Sequence, residues 1–216
     1  MKVSKLLLPA LATGTAAYGY ARYVRPHVLD WGATPEESAR AMPGDEILPD
    51  VALETTRAIS IVAPQDCVWP WLAQMGPRPR GGAYTYDWIE NLFGLDIHSV
   101  DRVLPQFQHL EVGDVLGEGN LALTVRLVEP GWYLVLEWPG AVTTWSFGLY
   151  PQDGGTTRLV SRNRMRSSGL LSRLFLAAFM EPGSLVMERK MLLGIKQRAE
   201  RLHLRKQRRV LAGSVQ

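Results

Sequence analysis

"VTTWSFGLYPQDGGTTRLVSRNRMR", Val142–Arg166, holds two alternating runs about a "QDGG" turn. In the first run Trp145, Phe147 and Leu149 share a face. In the second Leu159, Ser161, Asn163 and Met165 share one, and Arg158, Arg162 and Arg164 take the other. Asp-Gly between such runs predicts a hairpin, because a tight turn needs residues that accept positive φ. Two long strands with one oily face must be covered, so the flanking sequence decides the architecture.

Upstream, "LALTVRLVEPG" sets Leu121, Leu123, Val125 and Leu127 against Ala122, Thr124 and Arg126, and "GWYLVLEWPG" reads as a denser apolar strand bounded by Gly and Pro. "TTRAISIVAP" predicts a first strand near 56–62. The links between the later strands are too short for parallel crossovers, so the pairing is expected to be antiparallel. Between the first strand and this run, "PQDCVWPWLAQMG" predicts a helix from Pro64 to Met75, closed by Gly76 and ended or kinked at Pro70. "MGPRPRGG" is a loop, and "YDWIENLFG" a second short helix with Trp88, Leu92 and Leu95 at helical spacing. Asp87 is expected to cap that helix.

Downstream, "SGLLSRLFLAAFMEPG" is helical and is expected to be interrupted at Pro182 and Gly183. An amphipathic helix follows, with Leu185, Leu192, Ile195, Ala199 and Leu202 as its apolar stripe, opposed by Glu188, Arg189, Lys196 and Glu200. The fold class is therefore α+β: a curved antiparallel sheet gripping a long C-terminal helix, with room between them.

The chain has 216 residues, 46% hydrophobic and 21% charged, which suits one buried domain with appendages. The expected divisions are 1–25, an apolar N-terminal segment; 26–54, a connecting arm; 55–203, the ligand-binding domain; and 204–216, a basic tail. A lone Cys67 excludes an intrachain disulfide and a cysteine zinc cluster. The net charge of +3 lies mostly at the ends, which favours an anionic neighbour. No nucleic-acid-reading module is present.

The sequence resembles the START-like helix-grip superfamily, also called SRPBCC, and in particular bacterial members described as polyketide cyclase/dehydrase and lipid-transport-like proteins. The resemblance is carried by "WGATPEESARAMPGDEILPD", "ISIVAPQDCVWPWLAQMG", "GGAYTYDWIENLFGLDIHSVDRVLPQFQHLEVGD" and "MERKMLLGIKQRAE", spanning about residues 30 to 203. In that group a Pro after the first strand and a Trp on the first helix close one end of the grip, positions held here by Pro64 and Trp69. The resemblance implies a cavity for a hydrophobic ligand and no defined reaction.

The expected ligand-facing residues are Tyr84, Tyr86, Trp88 and Phe93 as wall or lid, and Leu123, Val125, Trp145, Phe147, Ser161, Asn163 and Met165 inside the chamber. Ser161 and Asn163 need partners on an apolar face, and a ligand oxygen, a water or a neighbouring side chain would each serve. An acid–base reading recruits His98, Glu90, Tyr84 and Tyr86 as a polyketide cyclase or dehydratase would. A metal reading recruits Asp87, Glu90, Asp96 and His98, but lacks a paired-histidine spacing, so no metal and no cofactor are assigned. A third reading is an interaction module with a filled core. The binding reading is taken forward, with a lipid, an isoprenoid quinone or a polyketide-like molecule as the class of guest.

Sixteen uncharged residues separate Lys5 from Arg22. As a helix they extend about 24 Å, within reach of a ~30 Å hydrocarbon layer once Lys2, Lys5, Arg22 and Arg25 snorkel. A membrane anchor, a cleaved secretory signal and a peripheral helix are the three readings, and the anchor is taken forward, with the cytoplasmic face favoured. The basic run "RLHLRKQRRV" is either a solvated helix end or a contact for anionic lipid.

Overall fold

The computed structural model describes residue 15 and residues 18–119 and 122–213. Leu121, most of the N-terminal apolar segment and residues 214–216 lie outside the described residues. After a π-helical turn at Tyr20–Val24 come two short helices, α1 (Arg25–Leu29) and α2 (Pro35–Ala39). Strand β1 (Leu53–Ile61) leads into α3 (Gln65–Ala73) and then α4 (Asp87–Leu92). Strands β2 (Val115–Leu116), β3 (Leu123–Glu129), β4 (Tyr133–Glu137), β5 (Thr143–Gln152) and β6 (Thr156–Met165) follow, and α5 (Leu170–Phe175) and α6 (Glu181–Gly213) close the chain. The six strands form one antiparallel sheet in the order β1-β6-β5-β4-β3-β2. This is the α+β helix-grip architecture expected from the sequence, with α6 lying across the inner face.

The central hairpin has the expected form. β5 and β6 pair from Thr143↔Met165 to Gln152↔Thr156 around Asp153–Gly155, where Gly154 and Gly155 take φ of +72° and +73°. On the inner face Phe147, Leu149 and Leu159 bury against Met191, Leu192 and Ile195 of α6 and against α3, whose Trp69, Trp71 and Leu72 are also buried. Pro70 lies inside α3 and does not end it. Its ring removes the donor that Asp66 O would receive, and that carbonyl faces Lys206 Nζ at 3.5 Å instead.

The outer face is covered by the arm. Arg158 pairs with Glu37 at 2.7 Å; Arg162 pairs with Asp45 at 2.7 Å and donates to the carbonyls of Glu37, Ser38 and Arg40; Arg164 reaches Glu54 and the carbonyls of Leu48 and Pro49. The alternating arginines of β6 thus clamp residues 32–49 onto the sheet. Thr34 and Glu37 close a capping box at the start of α2. The open edge of β1 is blunted as well: Ala58 N donates to Trp31 O, Lys196 Nζ to Ser60 O, and Val62 N to Glu200.

Three local expectations are corrected. A β-bulge between Val125 and Leu127 shifts the β3–β4 register, so Val125 opposes Leu136 on the inner face while Leu127 opposes Val135 on the outer one. The strict alternation that put Leu127 inside stops there. The C-terminal helix is not interrupted at Pro182 and Gly183. A π-helical turn at Leu176–Met180 precedes them, closed by Glu181 N bonding to Leu176 O, and Pro182 follows directly after it as the second residue of α6. The helix runs unbroken for 43 residues, Leu170–Ala212. Finally, Glu188 does not lie on the solvent face of α6 but is buried beneath the sheet.

Candidate functional site

Residues 75–99 fold back over the open end of the sheet as a lid, and backbone geometry holds its root. Gly76 and Gly82 exchange N–H···O bonds of 3.1 and 2.9 Å, Gly81 N donates to Gln74 O, and Val100 N to Gly81 O. Gly82 has φ +83°, and a Cβ there would stand 2.5 Å from Ser99 Cα, so glycine is needed at 82 for both conformation and space. The Gln74 amide donates to Arg102 O and accepts from Leu104 N, tying the far end of the lid to α3. Arg80 donates to the carbonyls of Met75 and Ala73 and so satisfies the C-terminal end of α3.

Asp87 does not cap α4. Its carboxylate accepts from both the N–H and the hydroxyl of Ser99, at 2.7 and 2.6 Å, and Ser99 Oγ in turn accepts from Tyr84 N at 2.9 Å. Asn91 pairs twice with the backbone of Ile97. These bonds fold the lid on itself, which periodicity alone does not reveal. Tyr84, at φ +60°, is buried between Trp71, the Arg198 guanidinium and Gly194, where a Cβ would meet Tyr84 O at 2.6 Å. Burial pushes its hydroxyl well above the usual tyrosine range.

Between lid and sheet lies a cavity of about 140 Å³. Ala83, Leu95 and Ile97 wall it from the lid, and Leu123, Leu136 and Trp145 from the sheet. Among the described residues Glu90 is the one ionisable group in the wall. It accepts from Thr85 Oγ1 at 2.6 Å and is not simply solvated. Burial pushes its carboxyl up, the nearby Asp87 adds to the rise, and the Thr85 hydroxyl partly offsets it.

A folded-state pKa above the unfolded one favours the protonated fold, so stability falls as pH rises from the ordinary carboxylate range through the raised value. Glu90→Gln keeps the acceptor for Thr85 and removes the charge. Its melting temperature relative to the parent chain is therefore expected to climb with pH across that window and then level off. Thermal melts in a pH series test this, and a gap that does not change with pH would refute it.

Behind Trp145, outside the cavity lining, lies a buried polar cluster. Trp145 Nε1 donates to Ser161 Oγ at 2.9 Å, Ser161 Oγ donates to Glu188, and Asn163 Nδ2 reaches both Glu188 oxygens at 3.2 Å. Arg57, fully buried on β1, pairs with the same carboxylate and donates to Val28 O and Ser184 Oγ, each at 3.0 Å. Burial pushes the Glu188 carboxyl up against the opposing pull of Arg57 and Ser161. The partner that Ser161 and Asn163 require is thus a neighbouring side chain, Glu188.

The expected residues divide accordingly. Leu123 and Trp145 line the cavity, while Val125 and Phe147 are buried in the adjoining core. Met165 is half-buried where β6 ends, opposite Leu53 and Thr143. Tyr86, Trp88 and Phe93 face outward, Trp88 at 66% and Phe93 at 73% exposure, because the turn of α4 directs Glu90 inward. His98 is exposed and sits 2.8 Å from Asp96, away from Glu90's cavity wall. Among the described residues no three metal-ligating side chains converge.

No protein-family model matches the chain, and no curated protein matches it. Similar solved structures include KanY, at 14% identity and a TM-score of 0.46 over 68% of this chain and 97% of that one. The Polyketide_cyc-like protein Cgl2372 from Corynebacterium glutamicum is 15% identical, with a TM-score of 0.34 over 78% and 96% of the two chains. CalC from Micromonospora echinospora, a self-sacrificing resistance protein, is 12% identical, with a TM-score of 0.43 over 70% and 97%.

Proposed function

We propose that the chain binds a hydrophobic small molecule in the cavity under the lid and carries it at a membrane. The observation behind this reading is the wall itself: a partly open, mostly apolar space with one carboxyl in its wall, covered on one side by a self-bonded flap. A space of about 140 Å³ takes one ring or a short run of methylenes. A full lipid, quinone or polyketide needs the lid to swing out, and the hydrogen bonds at Ser99 and Ile97 are the contacts that release it. The exposed Trp88 and Leu92 on α4 and Phe93 just after it give an arriving oily guest an apolar threshold. Sequestration needs no reacting group, since burial alone contributes about 25 cal/mol per Å² of apolar ligand surface.

The membrane part of the reading rests on the uncharged N-terminal stretch. The described end of that segment, from Tyr18 to Val24, exposes three tyrosines suited to an interfacial belt. Organic extraction of the purified full chain followed by mass spectrometry tests the cavity reading. A bound apolar compound in native spectra, displaced by an environment-sensitive naphthalene dye, is the expected result. A chain that carries no such compound and takes up no dye would instead be an interaction module with a filled core.

A further inference from the structure

The helix that leaves β6 does not join the core at once. From Leu170 to Met180 it projects past the end of the sheet with Leu170, Leu171, Leu174, Phe175 and Phe179 exposed, Leu171 at 84% and Phe179 at 67%. These positions, together with Ala178, recur as neighbouring pairs one helical turn apart, and so make a single stripe. Phe175 and Phe179 stack at 5.5 Å. The stretch opens the 43-residue helix Leu170–Ala212, whose most apolar 18-residue window has a mean hydropathy of 1.4 and is only 6% buried, unlike a core helix.

Two observations identify what covers this stripe. The first is charge. From Arg166 to Met180 the chain carries two arginines and no acid, and from Met1 to Leu29 four Lys or Arg and no acid. The second is placement. Arg25, at the end of the N-terminal segment, forks onto the buried Glu181 at 2.8 to 3.1 Å, so residues 20–25 and the start of the apolar stripe's helix are joined at one end of α6. We propose that helix Leu170–Met180 is a second membrane contact, lying flat in the interface of a bilayer that contains anionic lipid, beside the N-terminal segment. Eleven residues extend only about 16 Å, too short to span a ~30 Å hydrocarbon layer, so the stripe immerses its face while Arg166 and Arg173 meet the phosphates. The proposal rests on the reading that the chain works at a membrane and adds where the folded domain touches it.

Spin labels on the full chain at Leu171→Cys, Phe175→Cys, Phe179→Cys and Tyr18→Cys test it, with the native Cys67 buried and unlabelled. With vesicles of phosphatidylcholine and phosphatidylglycerol, the helix labels are expected to gain oxygen accessibility and lose that to a water-soluble nickel chelate. Phe175→Glu with Phe179→Glu is expected to lower the partition coefficient about tenfold or more. If the Tyr18 label enters lipid while the helix labels stay in water, this proposal fails and the membrane reading survives. If none enters, both fail. Helix labels that become immobile without vesicles, as sedimentation mass doubles, would make a second copy the occupant and overturn the proposal.

Discussion

Glu188→Leu is expected to destabilise the domain by about 3–5 kcal/mol, because it leaves the Arg57 guanidinium charged, buried and without its counter-ion. For a chain of this length that is a fall of about 6–20 °C in melting temperature. Ser161 and Asn163 lose their acceptor at the same time, so two further buried donors go unmet. Adding Arg57→Leu removes the stranded charge, and the double variant is expected to recover most of the loss, since a buried ion pair exchanged for apolar side chains is often neutral. Chemical denaturation of the four members of this cycle reads the coupling directly. Simple additivity of the two single changes would show that the pair is not the unit described.

Leu123→Trp is expected to reduce uptake of the apolar guest at least about tenfold, a loss of about 1.4 kcal/mol in binding. The indole replaces a smaller side chain in the cavity wall and occupies much of its 140 Å³. Leu123 is half-buried near the sheet edge, where the adjacent β2 has only two residues, so the fold tolerates the added bulk at about 1–3 kcal/mol. Dye titration alongside thermal melts separates the two effects. Unchanged uptake in a folded variant would place the guest outside this cavity, at the exposed face of α4 or along the helix stripe.

Much of the frame was legible in residue order. Alternation in Val142–Arg166 assigns the hairpin and both its faces, and the arginines placed opposite Leu159 and Ser161 are the ones that hold the arm. The stripe of α6 was legible too, except at Glu188. That residue lies three after Leu185 and four before Leu192, a spacing that belongs to the buried stripe, but its charge argued for the polar side. Arg57 carries the matching signal, an inward position in an alternating strand. Neither can be read alone, because each is tolerable in the core only through the other, 131 residues away.

The lid was the least legible part. Its aromatic residues suggested the pocket side, yet Tyr86, Trp88 and Phe93 turn outward while Ala83, Leu95 and Ile97 close the cavity. What residue order determined by itself was what a local period governs: the main strands, the two faces of the β5–β6 hairpin, its tight turn and the apolar stripe of α6. The tertiary structure alone decided which charges are buried together, where the β3 register slips and which side of the lid meets the chamber. Those outcomes depend on pairings between distant segments, whose energies exist only once the segments touch.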